Sequence, residues 1–325
     1  MIETDEPATP VPLVTVLIVT YNSRSTIRAA IDGLVGSCEI VLVDNASPDG
    51  TADFVENTYG SRVTLIRSGE NLGFARAVNR AAEYARGRYL LLLNPDASLD
   101  SENIDLLTVA MRAHPGVGVA APDVIEGAGE FRTMAAGYEP SVKRMFLHSS
   151  GLSRLGKYTA RLRGHYLLRD QTRPNQPEFV KWVSGGCMLV ERTVWQHLGG
   201  LSERWFMYAE DVEFCLRASS AGWKVAVFPW ARAYHSVGGS SDDSSGPVRT
   251  VWLENLYDLF VLRYHPSTVH AASWRGVVAV GFAARSSVFA LLASVRPAYR
   301  GDARRFAAYA RAAWGLPSPE SVPSA

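Results

Sequence analysis

The stretch VTVLIVTYNS, residues 14–23, decides how the amino-terminal half of the chain is interpreted. Its apolar part predicts a strand over Leu13–Val19, and its polar end predicts a loop. Similar apolar runs, separated by amphipathic stretches, occur at Ile40–Val43, Val63–Ile66 and Tyr89–Leu93. This alternation predicts βα repeats around a sheet, and nearly continuous apolar strands are typical of a parallel sheet that helices cover on both faces. We therefore expect an α/β fold.

Polar residues follow three of the predicted strands, at the sheet edge where α/β proteins bind ligands. The three groups are Thr20-Tyr21-Asn22, Asp44-Asn45 and Asn94-Pro95-Asp96. Each group is placed to contact a nucleotide. Asp44 is able to accept a hydrogen bond from the ring N–H of a uracil or thymine, although an Asp after a strand is more often a turn or cap residue.

Asp96 is a predicted ligand of a hard divalent cation that would bridge the carboxylate to phosphate oxygens. Asn, Pro and Asp are also common turn formers, so a plain turn is the alternative. His235 follows the apolar run Val225–Phe228 and could complete the metal shell. A single His is more often structural, so only the combination with Asp96 favours a metal site.

Three acids lie within four residues in the segment FMYAEDVEFCLR, residues 206–217. Glu210, Asp211 and Glu213 stand at a predicted helix start, where the helix dipole favours acids in any protein. Aromatic residues border these acids, however, and indicate a partly buried carboxylate cluster that is suited to base catalysis. We prefer this second interpretation.

Another predicted strand, Phe179–Glu191, contains Gly185 and Gly186. Glycine weakens a strand, and its missing side chain allows a ligand to approach the backbone closely. The glycine pair is therefore a second candidate contact for a ligand.

The sequence SVGGSSDDSSGP, residues 236–247, predicts a flexible loop between two regions. Residues 12–240 form the predicted α/β domain, and residues 241–315 form a predicted helical region that could associate with a membrane or mediate oligomer contacts. Residues 1–11 are a predicted disordered tail, and residues 316–325 a second tail.

The carboxyl-terminal region carries the pattern of an amphipathic helix, which lies either in a membrane interface or on the protein body. Arginines 300, 304 and 311 fall on one helical face, and Phe306 and Tyr309 fall roughly opposite. We do not expect a membrane-spanning helix, because Arg275, Arg285 and Arg296 interrupt the longest apolar stretch.

The net charge of +1 hides two basic regions. Residues 143–173 carry eight Lys or Arg and one acid, and residues 249–311 carry nine Arg and three acids. Such regions favour an anionic partner such as a lipid surface or a diphosphate, although 29 Arg against four Lys also fits arginines on solvated faces. Nucleic acid is not an expected partner, because the basic regions lack a recognisable binding motif.

The cysteines and the amino terminus favour a reducing, cytoplasmic compartment. Cys38, Cys187 and Cys215 are odd in number and lack the paired spacing of a zinc site. Residues 1–10 have no basic run before an apolar stretch, so we do not expect a secretory signal.

Seven segments in a fixed order closely resemble the family 2 inverting glycosyltransferases, which have the GT-A fold. The segments are VTVLIVTYNS, VLVDNAS, NLGFARAVN, LLLNPDA, VSGGCMLV, FMYAEDVEFCLRA and YHSVGG, and they cover roughly residues 14–239. Their order is far more specific than any one of them. Within this family the chain is most similar to the rhamnosyltransferases that act on polyprenyl-diphosphate-linked N-acetylglucosamine in actinobacterial cell-wall assembly.

The resemblance implies a role for each matching residue. The nucleotide-sugar group is Thr20, Tyr21, Asp44, Asn71, Gly73, Asn94 and Asp96; the metal ligands for Mg²⁺ or Mn²⁺ are Asp96 and His235; the general base is Asp211 beside Glu210; and the acceptor-facing residues are Trp182, Gly185 and Gly186. Asn94 replaces the first Asp of the family's DxD pair, which leaves Asp96 as the main carboxylate ligand. Trp182 could stack on a sugar or belong to the core, and the sequence favours neither.

The implied reaction transfers L-rhamnose from dTDP-rhamnose to a polyprenyl-diphosphate sugar, with inversion, by an enzyme held at the inner face of the cell membrane. The QxxRW motif of the family's processive synthases is absent, so we expect one sugar per encounter. Two alternatives stay open: another pyrimidine-nucleotide donor such as UDP-galactofuranose, and a catalytically inactive nucleotide-sugar or membrane-binding subunit. The intact Glu210, Asp211 and His235 argue against the inactive subunit.

Overall fold

The computed structural model describes residues 12–126, 131–132, 135–167, 175–235 and 248–322. The strands are β1 Val14–Thr20, β2 Glu39–Asp44, β3 Thr64–Arg67, β4 Tyr89–Leu93, β5 Ala97–Ser98, β6 Val117–Glu126, β7 Phe131–Arg132, β8 Ala136–Gly137, β9 Glu178–Val180, β10 Trp182–Val183, β11 Cys187–Glu191 and β12 Lys224–His235. The α-helices are α1 Ile27–Ile31, α2 Thr51–Tyr59, α3 Phe74–Ala82, α4 Ser101–Ala113, α5 Val142–Ser150, α6 Arg192–Leu198, α7 Glu210–Ser220, α8 Val251–Tyr264, α9 Thr268–Val295 and α10 Arg300–Trp314.

A mixed sheet organises the body, in the order β3-β2-β1-β4-β11-β6-β12-β5. The first four of these strands are parallel, as the apolar runs predict. Every residue of β1 and β4 is buried, which explains why both read as continuous apolar runs in the centre of the sheet. The second half of the sheet departs from the parallel prediction, because β11 runs antiparallel to both β4 and β6.

The predicted strand Phe179–Glu191 is three strands. β9 pairs with β12, β10 pairs with β8 in a separate two-stranded sheet, and β11 returns to the main sheet. The chain turns through residues 184–186 before β11, and a Cβ on Gly186 would lie 3.1 Å from the Asn94 side chain. The glycines therefore mark a bend where the periodicity indicated a continuous strand.

Two hydrophobic cores cover the two faces of the sheet. Leu17 and Val19 belong to one core, and Val16 and Ile18 belong to the other, as the alternation of side chains along a strand requires. The first core continues into α8, α9 and α10 through residues such as Tyr257. The helical carboxyl-terminal region thus shares one core with the α/β body.

The expected boundary at residues 240–241 lies outside the described residues, as do the tail 1–11 and residues 323–325. The described part of the second predicted tail is packed rather than extended. Leu316 is buried, Val322 packs against the core, and the Pro317 carbonyl oxygen accepts a hydrogen bond from the Tyr257 hydroxyl.

Among the described residues, α9 is the one helix that is long and apolar enough to cross a membrane by length and composition, with a mean hydropathy of 1.8 over its best window. Arg275 and Arg285 lie within this helix, and the expectation that it does not span a membrane stays a prediction. In this structure α9 packs against α5 and α10, and the Trp274 indole N–H donates to the Pro140 carbonyl oxygen at 2.7 Å.

Candidate active site

The strand register brings Asp96 and His235 together. β5, directly after Asp96, pairs antiparallel with the end of β12, and His235 stands opposite Ala97. His235 Nε2 consequently lies 3.1 Å from Asp96 Oδ1. No cluster of three or more His, Cys, Asp or Glu that could hold a metal occurs within the described part of the chain. The pair fits a divalent cation that takes its other ligands from phosphate oxygens and water.

The glycine pair joins the metal side of the site to the carboxylate side. The Gly186 carbonyl oxygen accepts a hydrogen bond from the Asn94 N–H at 2.9 Å, and the Gly185 N–H donates to Asp211 Oδ2 at 2.9 Å. A Cβ on Gly185 would lie 3.0 Å from the Phe74 ring. The absence of side chains here lets the backbone hold Asn94 and Asp211 on either side of one short turn.

The acids predicted from the sequence begin α7. Tyr208 and Ala209, just before them, have φ angles of 71° and 80°, a left-handed conformation that non-glycine residues rarely adopt. Glu210 is 3% exposed, whereas Asp211 is half-buried and also accepts a hydrogen bond from the Val212 N–H. The strained backbone of Tyr208 and Ala209 persists only where surrounding contacts enforce it, and such strain is common at functional sites.

Burial perturbs both carboxyl groups. Burial, with the charge of Asp211 adding to it, raises the pKa of Glu210 to about 8. Burial also raises the pKa of Asp211, but the N–H groups of Gly185 and Val212 oppose this shift by stabilising the ionised form. The hydrogen bonds to Asp211 thus favour its ionised form, as a base requires.

Helix α8 is hydrogen-bonded to the segment that precedes α7. Asp258 accepts hydrogen bonds from Arg204 Nε at 2.6 Å, Arg204 Nη2 at 2.9 Å and the Trp205 indole N–H at 2.8 Å. The Asn255 side-chain N–H donates to the Met207 carbonyl oxygen at 2.7 Å. Neither α8 residue was predictable from the sequence, because no local pattern connects positions about fifty residues apart.

The predicted nucleotide residues lie at the ends of β1 and β2 and in the loop before α3. Asp44 is buried, and its two oxygens accept hydrogen bonds from the Thr20 hydroxyl at 2.8 Å and the Ser47 N–H at 3.0 Å. The side chain of Tyr21 is exposed. The side-chain N–H of Asn45, the other member of the Asp44-Asn45 group, donates to the Gly73 carbonyl oxygen at 3.0 Å and so connects the two loops.

Gly73 lies where the loop before α3 contacts the segment before α7. Its φ angle is 79°, its N–H donates to the Asn71 side chain at 3.1 Å, and an added Cβ would collide with the Phe206 carbonyl oxygen. The next residue, Phe74, donates its N–H to the same oxygen at 2.9 Å. The two halves of the site are thus in direct backbone contact.

A cavity of about 260 Å³ collects five of the predicted site residues: Asn94, Trp182, Gly186, Asp211 and His235. Its wall also contains residues that the sequence did not reveal: His165, Tyr166, Ser184, Tyr208 and Trp252. Thr20, Tyr21, Asp44, Asn71 and Gly73 do not line this cavity. These residues, which are predicted to bind the nucleotide, thus stand outside this cavity.

Trp182 is a wall residue of this cavity. It is buried, its indole N–H donates to the Tyr138 carbonyl oxygen at 3.1 Å, and its ring stacks on His165 at 5.1 Å between centroids. Burial lowers the pKa of His165 to about 4, so this ring is neutral in the folded protein at neutral pH. Contact of Trp182 with an acceptor sugar stays a prediction.

Comparison with known proteins supplies relatives for this arrangement. A family model described as "Glycosyl transferase family 2" matches residues 15–180. An N-acetylglucosaminyl-diphospho-decaprenol L-rhamnosyltransferase of Mycobacterium tuberculosis is 30% identical over 235 residues, which are 68% of this chain and 75% of the relative. A low-salt glycan biosynthesis hexosyltransferase of Haloferax volcanii is 25% identical over 208 residues, 62% of this chain and 60% of the relative.

Two solved structures share the fold. A mannosyltransferase from Pyrobaculum calidifontis, in complex with GDP-Man and Mn²⁺, has a TM-score of 0.56 and 19% identity and covers 94% of this chain and 86% of its own. S. aureus TarS 1–349, in complex with UDP-GlcNAc, has a TM-score of 0.53 and 17% identity and covers 91% of this chain and 89% of its own. At these identities the likeness establishes a common architecture.

Proposed function

We propose that this chain, which belongs to glycosyl transferase family 2 and has the GT-A fold, is an inverting rhamnosyltransferase. Its donor is dTDP-rhamnose, and its acceptor is N-acetylglucosamine linked to a polyprenyl diphosphate. One observation carries the proposal: Asp211 lines the cavity, held by the Gly185 N–H, while Asn94 and His235 line the same cavity. The choice of donor and acceptor comes from the 30% identity to the mycobacterial rhamnosyltransferase.

In the proposed reaction an acceptor hydroxyl enters the cavity and loses its proton to Asp211 as its oxygen attacks the anomeric carbon of the donor. The new C–O bond forms on the face opposite the nucleotide, and the bond to the departing diphosphate breaks. The anomeric configuration inverts. The hydrogen bonds from the Gly185 and Val212 N–H groups stabilise the ionised form of Asp211 and support its role as the base.

Asp96 and His235 would hold Mg²⁺ or Mn²⁺, and such a cation supplies neutralisation of the negative charge that develops on the departing diphosphate. Their 3.1 Å separation supports this assignment. Asn94 is an uncharged neighbour, so Asp96 provides the one carboxylate of the pair. The nucleotide itself is assigned to the loops around Asp44 and Gly73, which contact the catalytic segment through Phe206.

A panel of nucleotide sugars, with and without Mn²⁺, tests the donor, because binding to the native state raises its melting temperature. The proposal predicts a metal-dependent increase with dTDP-rhamnose that exceeds the increase with UDP-galactofuranose. A larger shift with UDP sugars would replace the donor and keep the enzyme class. A shift with dTDP-rhamnose but no sugar transfer to a polyprenyl-diphosphate acceptor would favour the inactive, nucleotide-sugar-binding subunit.

A further inference from the structure

The second half of α9 exposes an apolar stripe. Val280, Val288, Leu291 and Val295 recur at spacings that place them on one helical face, and all four are exposed, with Leu291 74% and Val295 80% exposed. The opposite face packs on α10, where the Phe289 ring stacks on the ring of Phe306. The stripe therefore belongs to a helix that is fixed on one side and uncovered on the other.

A second exposed apolar group adjoins this stripe. The 3₁₀ helix Leu152–Lys157 follows α5, and Leu152, Leu155 and Tyr158 are all exposed. Its preceding residue, Gly151, lies against Arg285 of α9, since a Cβ there would be 3.7 Å from Arg285 Cδ. We call the combined set, Val280, Val288, Leu291, Val295, Leu152, Leu155 and Tyr158, the apolar surface.

The two basic regions of the sequence meet beside the apolar surface. Arg154 comes from the first region, and Arg285 and Arg305 come from the second. Arg285 and Arg305 both lie over the Phe306 ring, 3.8 and 5.4 Å from its centroid, and Arg154 follows Gly151, which lies against Arg285. Asp302 is the acid beside this cluster, and it already pairs with Arg305. Further cations, exposed and nearby along the chain, are Lys157, Arg296, Arg300 and Arg304.

We propose that the apolar surface and its surrounding arginines dock the protein on an anionic lipid bilayer. Apolar side chains with a basic surround are the pattern of a surface that inserts shallowly, roughly 5–10 Å, into the interface. Cations near an anionic leaflet strengthen this attachment. A second copy of this chain fits the surface poorly, because two facing copies would bring two arginine clusters together.

The orientation of α9 in this docking is parallel to the membrane plane. Its first half is packed in the core through Trp274 and Phe282. The exposed stripe from Val280 to Val295 is roughly 23 Å long at about 1.5 Å per residue, shorter than the roughly 30 Å hydrocarbon core. The inference deepens the proposed function, on which its biological meaning rests, because a polyprenyl acceptor is held in a bilayer.

Sedimentation with vesicles tests the docking. The full chain is mixed with vesicles of pure phosphatidylcholine or with vesicles in which about one third of the lipid is phosphatidylglycerol. The double variant Leu291→Glu, Val295→Glu changes two exposed side chains and leaves the core intact. Val269→Glu is the matched control, because Val269 is 76% exposed on the same helix but lies at its opposite end.

The expected result is binding to the anionic vesicles that weakens with salt, falls at least about tenfold in the double variant, and is unchanged in Val269→Glu. The proposal would be overturned if the double variant and Val269→Glu bound the anionic vesicles equally well. It would also be overturned if the wild-type chain bound both vesicle types equally well. A salt-insensitive dimer that only the double variant loses would assign the surface to a second copy instead. Transfer to a short-chain, water-soluble acceptor separates the two proposals, because the double variant keeps that activity if the proposed function is right.

Discussion

Replacement of Glu210 by glutamine should change how the stability of the protein depends on pH. Glu210 is 3% exposed, and its pKa rises from the ordinary 4.5 to about 8 on folding. Between these two values the folded state binds more protons than the unfolded state, so the free energy of unfolding falls as pH rises through this window. A glutamine side chain has no ionisable group, and the variant should lose this pH-dependent destabilisation.

The magnitude follows from the two pKa values. One unit of pKa difference corresponds to about 1.36 kcal/mol, so ionising Glu210 between pH 5 and pH 8 destabilises the wild-type protein by about 3 kcal/mol. With an unfolding entropy near 2.1 cal/mol/K per residue, this corresponds to about 4 °C in melting temperature for a chain of this length. Between pH 5 and pH 8, the melting temperature of Glu210→Gln should therefore rise by about 4 °C relative to that of wild type.

Calorimetry at pH 5, 6.5 and 8 with a chelator present measures this effect. Glu213→Gln is the control, because Glu213 lies on the same helix but accepts a hydrogen bond from Arg217 Nε at 2.6 Å and does not line the cavity. Its melting temperature should not gain on that of wild type as pH rises. Parallel curves for wild type and Glu210→Gln from pH 5 to pH 8 would refute the reasoning, because they would place an ordinary carboxyl group at position 210.

Three further predictions concern the surroundings of the site. Asp258→Asn should lower kcat at least about tenfold with a smaller effect on the Kd for dTDP, because it loosens the segment before the base, which meets the nucleotide loop at the Phe206 carbonyl oxygen; a fall in nucleotide affinity alone would contradict this. Gly73→Ala should destabilise the protein by more than about 1 kcal/mol in urea unfolding, whereas Gly69→Ala, whose added Cβ meets nothing within 4 Å, should be nearly neutral. Asp96→Asn should remove the Mn²⁺-dependent part of the nucleotide-induced increase in melting temperature, and an unchanged increase would exclude Asp96 as a ligand.

The strands that precede the predicted nucleotide-binding residues were predictable, because each is encoded by a local run of apolar residues. Tyr89–Leu93 has the predicted bounds, and the strand around Val16 differs by one residue at each end. Their periodicity is a direct consequence of burial on both faces of a central sheet. The sequence indicated Asp96 and His235 as a candidate metal pair, but their distance depends on the register of β5 with β12, a strand that extends to His235 and well beyond the apolar run Val225–Phe228.

Other features depend on contacts between distant segments, which local patterns do not encode. The bracing of Arg204 by Asp258 joins a loop to a helix 54 positions later. The aromatic wall around Tyr166 forms only when β8, β10 and α8 converge, so its members read as ordinary core residues. The two basic regions likewise meet at Arg285 because α5, which ends just before Gly151, runs alongside α9.

The most direct test of the account is transfer of rhamnose from dTDP-β-L-rhamnose to a short-chain polyprenyl-diphosphate N-acetylglucosamine by wild type and by Asp211→Asn, with the anomeric configuration of the product determined by NMR. The account predicts an α-linked product from wild type, and a loss of at least about 10³-fold in kcat for Asp211→Asn with nucleotide binding intact. Retained turnover in Asp211→Asn, or a β-linked product, would contradict the assignment of Asp211 as the base of an inverting transfer.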